Sequence, residues 1–128
     1  MPTTKEQKRS AFALKRINDF GTKVSKDDAN FIVGTPTMIL TNGIAQTMAF
    51  LLSKKDEKKE VKEVKVFKIL QQWLSTEIPA LNGTDEKTFL KQFSTLDQND
   101  YLRAQKEALA LLQWLKRYAR AFQQEVNQ

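Results

Sequence analysis

Apolar residues recur along this chain at steps of three and four, the spacing of one face of an α-helix. The clearest run is Tyr101, Ala104, Ala108, Leu111, Leu115, Tyr118 and Phe122. Arg103, Lys106, Gln113, Arg117 and Arg120 fall together on roughly the opposite side, and Glu107 lies near the edge of that basic face. Asp97-Gln-Asn-Asp100 supplies a capping signal ahead of the run. A helix of about 25 residues spans roughly 38 Å. One rod would thus carry a core stripe and a long cationic stripe.

The same periodicity predicts helices upstream. Thr4, with Gln7 three residues on, opens a first helix that ends near Phe20, with Gly21 as a stop. Ala13, Leu14, Ile17 and Phe20 share one face; Lys5, Lys8, Arg9, Lys15 and Arg16 share the other, interrupted by Phe12. Ser25-Lys-Asp-Asp28 opens a short helix through about Val33, with Asp27 and Asp28 favouring its N-terminal dipole. Thr35-Pro36 starts a central helix that runs to about Leu52, with Thr as N-cap and Pro in the first turn. Met38, Ile39, Leu40, Ile44, Ala45, Met48, Phe50, Leu51 and Leu52 cover most of its circumference, leaving Asn42, Gln46 and Ser53 as a narrow polar stripe. A helix apolar nearly all round belongs in a core. Gly43 in its middle costs roughly 1 kcal/mol against Ala, which close approach of a neighbouring helix or of a partner backbone would offset.

Further on, Val61, Val64, Phe67, Leu70 and Leu74 form an inward stripe flanked by Trp73, on a helix that ends before Pro79. Asn82-Gly83 marks a turn, Thr84 an N-cap, and Glu86 to Phe93 a short helix with Phe89, Leu90 and Phe93 inward. No strand alternation, internal repeat or low-complexity tract competes. The expectation is one all-α domain over residues 1–128, a compact bundle of about six helices around a buried central helix.

Composition sharpens this picture. With 4 Gly and 3 Pro in 128 residues the chain is too poor in turn formers for a turn-dense all-β fold. The formal charge of +6 favours anionic partners: nucleic acid, anionic lipid or an acidic protein. From Lys54 to Lys68, however, acids alternate with lysines, so that run reads as a solvated turn and an exposed helix face. Ala29 to Ser53 holds no charge, but Asn30, Asn42, Gln46, Gly34, Gly43 and Pro36 interrupt it. A spanning helix wants about 20 predominantly apolar residues, so a buried core segment is the better reading. Residues 1–20 carry no secretory signal, and a cytoplasmic protein without membrane contact is expected.

There is no His and no Cys. That removes Ser-His-Asp triads, thiolate nucleophiles, disulfides and zinc sites of the usual kind. Asp27, Asp28, Asp85, Glu86, Asp97 and Asp100 stand at helix starts, and Asp56, Glu57, Glu60 and Glu63 stand among lysines. No glycine-rich phosphate loop or calcium loop is present. The expectation is a protein that is not an enzyme and holds no cofactor or metal.

The basic faces are the stronger signal. Lys8, Arg9, Lys15 and Arg16 on the first helix are candidates for nucleic-acid contact, as are Arg103, Lys106, Arg117 and Arg120 on the last. The latter form a line about 26 Å long at 1.5 Å per residue. Such contacts give affinity for phosphates without reading sequence. Phe12 among the cations could stack on a base, but contact with another protein or with the chain's own loop is the preferred reading.

Two segments resemble a known family. Pro36-Thr-Met-Ile-Leu-Thr-Asn-Gly-Ile-Ala-Gln46, followed by Met48-Ala-Phe-Leu51, is similar to the central-helix signature of the small subunit of type III-B CRISPR effector complexes, the Cmr RNA-guided interference complexes. Tyr101-Leu-Arg-Ala, then Glu107-Ala-Leu-Ala-Leu-Leu-Gln-Trp-Leu-Lys-Arg-Tyr-Ala119, is similar to that family's C-terminal helix. Gln105 stands where the pattern has a small hydroxyl residue, and residues 54–98 carry no matching signature. The resemblance implies a non-catalytic helical bundle that stacks as a minor filament beside the backbone subunits holding the guide RNA. Its partners would be the other Cmr subunits, backbone and large, copies of itself, guide RNA and target RNA. Glu107, Trp114 and Leu115 match the motif closely; Leu115 reads as core, and Glu107 and Trp114 as core edge or subunit contact. Phe12, Glu107 and Trp114 are thus the candidate protein-interface residues. The alternatives are a free helical module that binds an acidic protein or nucleic acid, and a membrane-surface protein that uses its basic first helix.

Overall fold

The computed structural model describes residues 2–125. Helix α1 (Lys5–Arg16) runs into a 3-10 turn (Ile17–Phe20), followed by α2 (Lys26–Asn42), α3 (Ile44–Ser53), α4 (Lys62–Glu77), α5 (Glu86–Phe93) and α6 (Gln98–Ala121). The helices form one all-α bundle. Among the described residues the only β pairing is an isolated parallel bridge between Val24 and Gln123.

Local chemistry explains most helix ends. Thr4 accepts from the N–H of Gln7, and the Gln7 side chain accepts from the N–H of Thr4, a complete capping box. Ser25 and Asp97 cap α2 and α6 by accepting from the N–H of Asp28 and Asp100. Gly21 turns the chain after α1 with φ of 98°, a conformation that disfavours side chains. The cap of α5 is Asp85, not Thr84: its carboxylate accepts from both the N–H and the hydroxyl of Thr88. That shared arrangement uses two acceptor oxygens, which a threonine lacks.

The segment from Ser25 to Leu52 departs from expectation. No helix starts at Thr35-Pro36; α2 continues through the proline to Asn42, and the helix breaks at Gly43 instead. Pro36 removes one donor from the ladder. The stripe of Ala29, Ile32, Pro36 and Ile39 nevertheless stays buried through that point, and the Thr35 hydroxyl donates to the carbonyl of Phe31 at 2.9 Å. Continuous burial outweighs the lost bond. At Gly43 φ is 84°, and the helix restarts at Ile44. Helix α6 caps the restart: the N–H of Ile44 donates to Gln105 Oε1 at 3.1 Å and the N–H of Ala45 to Tyr101 Oη at 3.3 Å. The break also exposes apolar side chains expected in the core, Leu40 at 70% and Phe50 at 42%.

Helix α6 lies against α1, α2, α3 and α4. It buries Ala104, Ala108, Leu111, Leu112, Leu115 and Ala119, together with Glu107. Against α1 it is parallel. Glu6 faces Trp114 and Ser10 faces Tyr118, each pair 108 residues apart, and Leu14 shares a recess with Phe122 at the same spacing. Against α2 it is antiparallel, with Gly43 near Tyr101 and Val33 near Arg117 and Arg120. Helix α4 buries Val64, Val66, Phe67, Ile69, Leu70, Trp73 and Leu74, a broader face than one stripe. Edge-to-face aromatic contacts from Phe67 to Phe89, Phe93 and Tyr101 bind α4, α5 and α6 together.

Candidate nucleic-acid interface

The cations divide into two sets. On α6, Arg103, Lys106, Arg117 and Arg120 are all exposed, on the side away from the buried stripe. None of them takes part in an ion pair among the described residues. Arg120 donates to the neutral Gln123 at 2.8 Å, which leaves its charge uncompensated. Lys116 is half-buried and joins Arg117, Arg120 and Val33 around a shallow depression between α2 and α6. It was missing from the sequence-derived set because it falls off the outer face, towards α2. Its place next to Arg117 in the chain was the one available signal.

On α1, Lys8 and Lys15 are exposed, whereas the two arginines are engaged within the chain. Arg9 donates from Nε to Glu107 Oε1 at 3.1 Å and from Nη2 to Glu107 Oε2 at 2.6 Å, and it also pairs with Glu6. Arg16 pairs with Asp19 at 2.8 Å, donates to Gln72, and lies over the ring of Phe12. Of the eight candidate cations, the six that remain open are therefore Lys8 and Lys15 on α1 and Arg103, Lys106, Arg117 and Arg120 on α6.

The candidate protein contacts turn inward. Phe12 is half-buried against Trp73, with ring centroids 5.1 Å apart. Glu107 is buried and also accepts from Trp73 Nε1 at 3.1 Å. Burial alone would raise its pKa, but the hydrogen bonds from Arg9 and Trp73 outweigh it and hold the carboxyl below its ordinary value. The hydrogen bond to Glu107, and then that to Glu6, outweighs burial and raises Arg9. Trp114 is half-buried and donates to Glu6 Oε2 at 2.9 Å. That bond and the Arg9 pair lower the Glu6 carboxyl. Together these side chains form one polar seam that links α1, α4 and α6.

Elsewhere, the charged run after α3 pairs with itself and its surroundings through Lys55–Glu86, Lys62–Asp27 and Lys68–Glu60. Among the described residues no three His, Cys, Asp or Glu side chains converge to hold a metal. No described helix is long and apolar enough to cross a membrane.

A family model for "CRISPR-associated protein (Cas_Cmr5)" matches residues 5–122. The chain belongs to that family. As a Cas_Cmr5 member it is a small subunit of a type III-B Cmr complex, in company with that complex's other subunits. The match extends from the start of α1 to the end of α6, so it takes in both the polar seam and the open cationic face.

Proposed function

We propose that this Cas_Cmr5 chain does no chemistry of its own and stacks with copies of itself along the guide RNA–target duplex, turning the outer face of α6 to the target RNA. One observation carries the RNA-facing part. Four cations line one continuous helix over about 26 Å, and no acid compensates them among the described residues. A rod of that kind follows phosphates and ignores base identity. The uncharged outer side of α2, with Asn30, Gly34, Thr37, Leu40 and Thr41 exposed, suits contact with neighbouring subunits.

The test replaces Arg103, Arg117 and Arg120 by Gln in the assembled complex. Target RNA binding should weaken, and the slope of log K against log salt should shrink by about 2, because three phosphate contacts are lost. Unchanged binding at every salt concentration would sink the assignment. The charge of the single chain is only +6, so its contribution grows through repetition in the assembly.

A further inference from the structure

Trp114, Tyr118 and Phe122 form an aromatic ladder at the C-terminal end of α6. Trp114 and Tyr118 lie 6.0 Å apart at 30°, and Tyr118 and Phe122 lie 6.3 Å apart at 28°. The first two rings are half-buried against α1, while Phe122 remains 43% exposed. Phe122 borders a recess of about 170 Å³. Leu14, Ile17, Val24 and Phe122 give that recess apolar walls, and Asn18 and Thr22 give it a polar edge. Pockets for drug-sized molecules run to about 300 Å³ and more, so this one suits a single flat ring.

We propose that the recess receives one unpaired RNA base, stacked on Phe122 as the next rung of the ladder. This rests on the reading that the chain meets RNA. Splayed bases are held by stacking on aromatic faces and by hydrogen bonds at their edges. Asn18 offers both a donor and an acceptor for such an edge, as does the Thr22 hydroxyl. The charge around the recess suits a nucleotide. Lys15 and Lys23, both exposed, directly follow the lining residues Leu14 and Thr22. The nearest acid in sequence, Asp19, is neutralised by Arg16 at 2.8 Å. An apolar protein side chain would use the walls but neither the polar edge nor the cations.

The full chain is titrated against a labelled single-stranded RNA of about twelve nucleotides and against an abasic oligomer with the same number of phosphates. The protein should bind the base-bearing strand about tenfold more tightly. Phe122→Ala should abolish that preference without changing affinity for the abasic strand, and Phe122→Trp should keep it. Phe122 contributes only its backbone to the Val24 pairing, so the alanine variant retains that bond. Equal binding of both oligomers by the unmodified protein would overturn the base recess and leave the cationic face standing. So would a preference that survives Phe122→Ala. Failure to bind either oligomer would also overturn the base recess, while the RNA-facing reading of α6 is judged separately by the triple Gln variant in the assembled complex.

Discussion

Arg9 on α1 grips Glu107 on α6 through two hydrogen bonds, at 3.1 and 2.6 Å, across 98 residues of sequence. Both side chains are largely shielded from water, and Trp73 donates to the same carboxylate. Removing one partner strands the other, and breaking a buried pair in this way costs about 3 kcal/mol. Arg9→Ala and Glu107→Ala should each lower stability by that order in chemical denaturation. The double variant should cost clearly less than the two together. Additive losses would mean that the pair is not coupled.

The same carboxylate predicts an acid response. Glu107 is held below its ordinary value of 4.5 in the folded protein. A group depressed on folding stabilises fully above its unfolded pKa, and the contribution fades as pH falls through the folded value. Stability should therefore drop below about pH 4.5. Glu107→Gln should make that drop shallower. Glu6 and Asp85 are lowered too, so some slope should remain. A pH profile identical in the variant would contradict the assignment.

Gly43→Ala should destabilise by about 2 kcal/mol, since a side chain is placed where φ is positive. The added Cβ would also lie 3.0 Å from Tyr101 Oη. Tyr101→Phe removes the clash but also the acceptor for the Ala45 N–H, so Gly43→Ala should cost less when measured against Tyr101→Phe than against the parent, by the steric part only. Thermal unfolding of the single and double variants separates the two costs. Full recovery would show that the backbone angle is not the obstacle.

Phe12→Ala should lower stability by about 2 kcal/mol, as a half-buried aromatic loses its packing. Because the ring contacts Trp73, the tryptophan emission should shift to the red. Entry into the Cmr complex well below the melting temperature should be unaffected. A loss of assembly with unchanged stability would show that Phe12 is a protein contact.

Leu40→Lys should do the reverse. At 70% exposure its replacement should change stability by no more than about 0.5 kcal/mol. If the α2 face meets a neighbouring subunit, recovery of the chain with purified complex should fall. Equal recovery would place that contact elsewhere.

What could be read from the sequence was what local chemistry decides. Thr4, Ser25 and Asp97 announce their helices within four residues, and the core stripe of α6 repeats its own spacing. The fate of Pro36 was not legible, because the cap rule for Thr-Pro competes there with burial of Ile32 and Ile39 against distant helices. The break at Gly43 is completed by Tyr101 and Gln105, 56 and 61 residues from the amides they receive. In the candidate interface, the line from Arg103 to Arg120 was visible because one helix carries all of it. The neutralisation of Arg9 was not, since its acid lies on another helix. Gln105 is long enough to reach the amide of Ile44.

The parallel register of α1 and α6 also dictates when this domain can exist during synthesis. The first helix made has its partners at Trp73, Glu107, Trp114 and Tyr118. Helix α2 waits for the same last helix. A nascent chain therefore carries two unsatisfied apolar faces until α6 has emerged. Contacts of such separation make closure slow and concerted, and exposed faces of this kind attract chaperones or one another. Helix α6 acts as the bolt of the bundle: until it arrives, α1 and α2 lack their main packing partner.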